Sequence, residues 1–203
     1  MRFLFAFFVL GSAFILSACA AVGAVSAATK IANFALESTG LKKPELPELP
    51  EFQKPPRNIA LKLHASSNLN GGATGKPLSL ITRVYKLKQT AAFYSAPYDV
   101  FLSPEKEKAL LGADLLEVRE LTLVPGQLYE VTEQVSREST YIGVVTLFRK
   151  PAPQRWRAAF AAAEAETSGI TMGLHACSMT LGKGASTDQV QMSEMVNIPS
   201  RCQ

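Results

Sequence analysis

The sequence predicts an all-β fold, a β-sandwich with a small helical insertion after its second strand. Short apolar stretches, either alternating or rich in β-branched and aromatic residues, recur from about Asn58 onward with turn residues between them. Such spacing is typical of a sandwich of short strands. One pair of segments carries helix start and stop signals instead, and it falls between the second and third stretches.

The first strand is predicted where Ile59, Leu61 and Leu63 alternate with other residue types, which is the period of a half-buried strand. The next segment, SSNLNGGATGKPL at residues 66–78, consists largely of turn formers and is longer than a hairpin needs. A loop of that length indicates recognition as well as connection. The second strand is predicted over residues 78–87.

Two short helices are predicted next, over residues 93–102 and 104–111. Ser103 can cap the second helix, Pro104 fits its first turn and Gly112 ends it. Further strands are predicted to complete the sandwich, over residues 115–124, 127–135, 141–148, 155–161 and 170–181.

The N-terminus predicts an export signal, because Arg2 precedes an apolar run and small residues follow it. The segment Leu16-Ser17-Ala18-Cys19 resembles a bacterial lipobox, so we expect cleavage after residue 18 and a diacylglycerol on Cys19. The alternative is a retained transmembrane helix, since residues 3–28 carry no charge and about 20 apolar residues cross a bilayer. The small residues after Cys19 would make a poor half of such a span, which favours cleavage.

In lipoproteins of this kind, an aspartate directly after the cysteine retains the protein at the inner membrane. Ala20 stands there, so we expect the outer membrane, with the chain on its periplasmic face. The repeated prolines of residues 42–56 favour an extended spacer that gains about 3.1 Å per residue. The predicted organisation is a signal peptide (1–18), a lipidated N-terminus and proline-rich tether (19–57), and a sandwich domain with a C-terminal tail (58–203).

Charge and cysteine usage narrow the function classes further. The chain holds 21 Lys and Arg against 17 Asp and Glu and has no long basic run, which argues against a nucleic-acid partner. Downstream of Cys19 only Cys177 and Cys202 remain, in a chain predicted to reach a compartment where disulfides persist. We expect a bridge between them, with two unpaired thiols as the alternative.

No motif predicts catalysis. His175 and Cys177 would face the same side of one strand, but no third group is evident that would orient them as a base and a nucleophile. His64 is too isolated to build a zinc site. We therefore expect no catalytic, cofactor-binding or metal-binding residue, no small-molecule substrate, and no cofactor besides the lipid on Cys19.

Four stretches together resemble a known family: YIGVVTLFRKPAPQRWR at residues 141–157, PLSLITRVYKL from Pro77, LLGADLLEVRELTLVPGQ from Leu110, and the lipobox. They are similar to the TssJ (SciN/VasD) outer-membrane lipoproteins of the type VI secretion system, in order, over residues 58–182. The resemblance implies a transthyretin-like β-sandwich with a small helical addition, no enzymatic activity, and a lipid anchor in the outer membrane. It also implies binding to the periplasmic C-terminal domain of the inner-membrane subunit TssM, which anchors the trans-envelope assembly. The proline-rich tether and the tail past residue 184 extend beyond the family pattern.

The family's loop between the first two strands contacts TssM, and it corresponds here to residues 66–78. The resemblance thus implies a partner-binding loop made of Asn68, Leu69, Asn70, Gly71, Gly72, Thr74 and Lys76. Leu69 is interpreted as an exposed apolar anchor, so Leu69→Asp is expected to weaken TssM binding without unfolding the domain. Two alternatives stay open, a sandwich that binds a small ligand or carbohydrate and a lipoprotein that stabilises the envelope without secretion.

Overall fold

The predicted β-sandwich is confirmed by a computed structural model, which describes residues 49–71, 75–185 and 202. Within these residues two four-stranded sheets surround one hydrophobic core. The strands are β1 (Arg57–Ala65), β2 (Leu80–Leu87), β3 (Leu115–Leu123), β4 (Leu128–Val135), β5 (Tyr141–Thr146), β6 (Arg157–Ala161), β7 (Ile170–Leu174) and β8 (Met179–Leu181).

The two sheets give the domain two distinct ends. One sheet has the order β4-β1-β7-β8 and the other β3-β2-β5-β6, and β1 with β7 is the parallel pair among antiparallel neighbours. The odd-numbered strands finish at one end, here called the loop end, where segments 66–79, 124–127, 147–156 and 175–178 connect them to the even-numbered strands. The opposite end, here called the entry end, is where the chain enters β1 at Arg57.

The alternation predicted for β1 is confirmed along its whole length. Buried and exposed residues alternate across its nine positions, and Ile59, Leu61 and Leu63 are buried. They belong to a core whose large aromatic members, among them Tyr85 and Phe93, meet edge to face. Full burial of one such large apolar side chain contributes about 1.5–3 kcal/mol to folding, so this core dominates the stability of the domain.

The helical insertion after the second strand is confirmed. It contains α1 (Ala91–Ser95), a 3-10 turn (Tyr98–Leu102) and α2 (Pro104–Leu111), and the Ser103 side chain caps α2 as expected. The expected single helix over 93–102 is two elements, because Pro97 holds the residue before it in an extended conformation. No helix among the described residues is long and apolar enough to cross a bilayer.

This insertion covers an edge of the second sheet. The Arg157 guanidinium on β6 donates to the backbone carbonyls of Phe93, Tyr94 and Ala96 at the end of α1. The Tyr94 hydroxyl in turn accepts from the Ala159 amide of the same strand (2.9 Å). An open strand edge invites pairing with other chains, so α1 protects β6 from such contacts.

A buried ion pair attaches α2 to the same sheet. Glu107 is almost fully buried, and one of its oxygens accepts from Arg83 (2.7 Å) and from the Tyr85 hydroxyl (3.0 Å). Burial and the neighbouring Glu107 carboxylate raise the pKa of Tyr85, so its hydroxyl stays protonated and remains a donor. The insertion is therefore attached by polar contacts as well as by packing.

Charged contacts also hold the chain that leads into β1. Glu51 accepts from Arg57 (2.8 Å) and from Arg137 (3.0 Å), and Arg137 also binds Glu166 through two N–H groups (2.9 and 3.0 Å). Glu51 lies in a 3-10 turn, Glu51–Gln53, so this part of the proline-rich segment is not extended as the sequence predicted. The last residues before β1 are thus attached to the domain.

Two features at the C-terminal side differ from expectation. The single strand expected over 170–181 is wrong, because His175 and Ser178 close a turn (2.9 Å) that divides it into β7 and β8. A further helix, α3 (Ala162–Ser168), lies between β6 and β7. Its alanine and glutamate content favours a helix, although the segment is short and lacks a side-chain cap.

Candidate functional site

The connections at the loop end form one joined surface. The Asn70 amide donates to the His175 carbonyl (3.0 Å), which joins segment 66–79 to the β7–β8 turn. The Ala152 amide donates to the Cys177 carbonyl (2.8 Å), which joins the same turn to segment 147–156. Segments far apart in sequence are therefore held together at this end.

The interpretation of Leu69 as an exposed anchor is wrong. Its side chain is 0% exposed and belongs to the hydrophobic core, and its carbonyl accepts from the Leu78 amide (2.9 Å). Glycines and asparagines surround Leu69 in the sequence, so the pattern gave it no strand or helix period from which burial could be predicted. A buried Leu69 supports the loop from within and is not accessible for contact with a partner.

Asn70 also serves the fold of the loop. It is 8% exposed, with a positive φ of 52°, and its side chain makes two hydrogen bonds. The amide nitrogen donates to the Ser79 carbonyl (2.9 Å), and the amide oxygen accepts from the Arg149 backbone N–H (2.8 Å). The Asn70 side chain thus connects the two sides of its own loop, and it also connects the loop to segment 147–156.

Gly71 contributes close packing of the backbone. A Cβ atom at this position would lie 3.1 Å from the Asn68 carbonyl oxygen and 3.2 Å from the Lys76 carbonyl oxygen. Such contacts are tighter than most side chains tolerate, so glycine lets the two legs of the loop approach. Gly72, Thr74 and Cys19, which the sequence singles out, lie outside the described residues.

The residues that remain open to solvent define the candidate surface. The Gly126 amide donates to the Ser66 carbonyl (3.2 Å), so the β3–β4 turn lies directly beside the loop. Two apolar side chains near that turn are half exposed, Val124 at 50% and Leu128 at 55%. The exposed polar residues of this end include Asn68, Lys76, Arg149 and Lys150.

A disulfide joins the C-terminal tail to the loop end. Cys177 and Cys202 are bonded, with their Cα atoms 5.7 Å apart, and Cys177 is buried in the β7–β8 turn. The Nε2 atom of the neighbouring His175 lies 2.9 Å from the Thr180 hydroxyl oxygen. Burial lowers the pKa of the His175 imidazole. Since Cys177 is held as a disulfide, it presents no thiolate for His175 to activate.

Aromatic burial stiffens the exposed segment 147–156. The Tyr98 hydroxyl donates to the Phe148 carbonyl (2.6 Å), and burial raises the pKa of Tyr98 to about 12. Trp156 is 7% exposed and packs edge to face against Tyr98 and Phe101.

No group of three His, Cys, Asp or Glu side chains suited to a metal ion occurs in the part of the chain that the structure describes.

Sequence reasoning did not connect segment 147–156 with the loop. The two are 79 residues apart, and the contact runs through one buried amide side chain. The available signal was Asn70 itself, because a buried amide must find hydrogen-bond partners.

Comparisons with known proteins agree with this architecture. A family model described as type VI secretion lipoprotein (VasD, EvfM, TssJ) matches residues 57–177. The chain is similar to the crystal structure of the T6SS lipoprotein TssJ1 from Pseudomonas aeruginosa, with 30% identity and a TM-score of 0.57, over 65% of this chain and 98% of that chain. It is also similar to a structure of the T6SS protein TssM C-terminal domain from EAEC, with 26% identity and a TM-score of 0.52, over 62% of this chain and 98% of that one. Serratia marcescens Lip shares the fold at 20% identity and a TM-score of 0.56, over 64% and 99%. No curated protein gives a significant match.

Proposed function

Because the chain belongs to the type VI secretion lipoprotein family, we propose that it is the outer-membrane anchor of a type VI secretion membrane complex. Its lipid is carried on Cys19, and the chain faces the periplasm. Its loop end binds the periplasmic C-terminal domain of TssM, the protein named by one of the structures it resembles. It acts by binding and holding a partner, without catalysis.

The observation that carries this proposal is the separation of the two ends of the domain. The chain enters β1 at Arg57, beside the contacts of Glu51, while segment 66–79 begins where β1 finishes. The nine residues of β1 are separated by eight steps of about 3.3 Å, so the strand spans about 26 Å. An anchor at one end and a partner site at the other suit a protein that links a membrane to a second component.

The proposed organisation along the chain follows the same logic. Residues 1–18 are removed as a signal peptide, residues 19–57 form the lipidated tether, and residues 58–203 form the sandwich domain and its tail. Stable anchoring takes two acyl chains or an equivalent second signal, which a diacylglycerol supplies. The contacts of Glu51 give the tether a defined attachment to the domain.

A small-ligand or carbohydrate role finds less support. Such sites use aromatic side chains that line an open pocket. Trp156, the chain's only tryptophan, is buried against Tyr98 and Phe101. The exposed loop end instead combines polar, cationic and apolar groups, as partner-binding surfaces do.

The proposal is tested by enlarging an exposed side chain of the loop. We expect Asn68→Trp to weaken binding of purified TssM C-terminal domain by at least about tenfold, because a bulky uncharged side chain would disturb the packing at a contact surface. The measurement is a calorimetric titration of the full mature chain in a Cys19→Ser background, which keeps the protein in solution.

Asn58→Trp is the matched control, since Asn58 is exposed near the start of β1, at the entry end. It adds the same bulk and should leave the affinity within about twofold. Equal affinities for both variants and the unsubstituted chain would remove the loop from the contact, and absence of binding by the unsubstituted chain would refute the partner.

A further inference from the structure

Three exposed cations lie on the connecting segments of the loop end, and we call Lys76, Arg149 and Lys150 the loop-end cations. All three side chains are exposed, and none forms an ion pair with another described residue. The connecting segments of this end, residues 66–79, 124–127, 147–156 and 175–178, contain no aspartate or glutamate at all. Their charge is therefore uncompensated within these segments.

Most other cations of the domain are compensated. Lys62 pairs with Glu130 across neighbouring strands, and Lys86 pairs with Glu117. At the entry end, Arg137 is held between two carboxylates. Among the described residues, the loop end therefore carries unpaired positive charge where most other cations are paired. This charge does not reflect a strongly basic chain, because the excess of basic over acidic residues is small.

Hydrogen bonds fix the backbone around Arg149 and Lys150. The Arg149 amide is fixed by the buried Asn70 side chain (2.8 Å), and the Phe148 carbonyl next to it accepts from Tyr98 (2.6 Å). Beyond Lys150, the Ala152 amide is bonded to the Cys177 carbonyl (2.8 Å). A rigid backbone lowers the entropy lost when a charged loop is bound, so this geometry suits a specific contact.

From this arrangement we infer that the loop-end cations bind an acidic patch on the partner protein, which extends the contact surface from segment 66–79 to segment 147–156. The inference rests on the proposed function and specifies the chemistry of the partner's surface. A protein is favoured over an anionic membrane because these cations lie at the end opposite to the one where the anchored chain enters the domain. Charge complementarity of this kind accelerates association and selects among partners.

The test compares two double charge reversals that change the net charge equally. Arg149→Glu with Lys150→Glu reverses two of the three loop-end cations, and Lys106→Glu with Lys108→Glu reverses two exposed lysines of α2, which lies outside the loop-end segments. Each is made in the full mature chain with Cys19→Ser and titrated with TssM C-terminal domain. We expect the loop-end double variant to bind at least about tenfold more weakly at about 50 mM NaCl, with a smaller difference at about 500 mM, and the α2 variant to bind within about twofold of the unsubstituted chain.

Because both altered side chains are exposed and the Asn70 contact uses the Arg149 backbone, both variants should unfold at nearly the temperature of the unsubstituted chain. Equal affinities of the two double variants would overturn the inference while leaving TssM binding intact. No binding by the unsubstituted chain would overturn the proposed function and the inference together. Loss of sedimentation with anionic phosphatidylglycerol vesicles, with unchanged partner affinity, would assign the cations to a lipid surface and overturn the inference.

Discussion

Leu69→Asp is expected to unfold the domain. The leucine side chain is fully buried, so the substitution removes apolar packing and places a carboxylate in the core. Loss of a buried leucine alone costs about 2–5 kcal/mol, and an unpaired buried carboxylate adds to that cost. Since small domains are stable by only about 5–15 kcal/mol, we expect a loss of at least about 4 kcal/mol in urea unfolding followed by circular dichroism.

Leu128→Asp supplies the control for this prediction. Leu128 is 55% exposed and lies at the same end of the domain, so the same substitution there should cost less than about 1 kcal/mol. If Leu69→Asp were no more destabilising than Leu128→Asp, the loop would have to hold Leu69 outside the core. Leu69 would then be accessible as an apolar anchor for a partner.

Cys19→Ser is expected to abolish acylation and outer-membrane association. The thiol is the proposed site of the diacylglycerol, and serine offers no equivalent sulfur. With burial worth about 0.8 kcal/mol per methylene, the acyl chains supply most of the affinity for the membrane. Intact mass of the membrane-extracted chain should give a protein that starts at Cys19 and carries acyl mass, and the substituted chain should lack that mass.

Cys202→Ser distinguishes lipidation from a general effect of losing a cysteine. It breaks the disulfide with Cys177 but should keep the full acyl mass and the outer-membrane location. An uncleaved, unacylated chain in the inner-membrane fraction would contradict the account. Residues 3–28 would then be a transmembrane span.

Local sequence signals predicted much of the fold. The alternation of Ile59, Leu61 and Leu63 located β1, and Ser103 with Gly112 marked both ends of α2. Each of these signals acts within one or two turns or along one strand, where the residue pattern alone determines which side is buried. Elements of this kind depend little on the rest of the chain.

The features that were missed depend on contacts between distant residues. Burial of Leu69 follows from the packing of a loop over the core, and the role of Asn70 follows from a hydrogen bond to Arg149 across 79 positions. The turn that separates β7 from β8 lies beside the disulfide of Cys177. Periodicity contains no information about such contacts, so the candidate surface at the loop end required the three-dimensional arrangement.

Hydrogen–deuterium exchange of the mature chain, with and without TssM C-terminal domain, tests the central claim most directly. Amides of a contact surface exchange more slowly in the complex when binding suppresses local opening. We predict slower exchange in segments 66–79 and 147–156 at the loop end, with no change in α2 or around Arg137 at the entry end. Slower exchange confined to the entry end, or no change anywhere at saturating partner, would contradict the account.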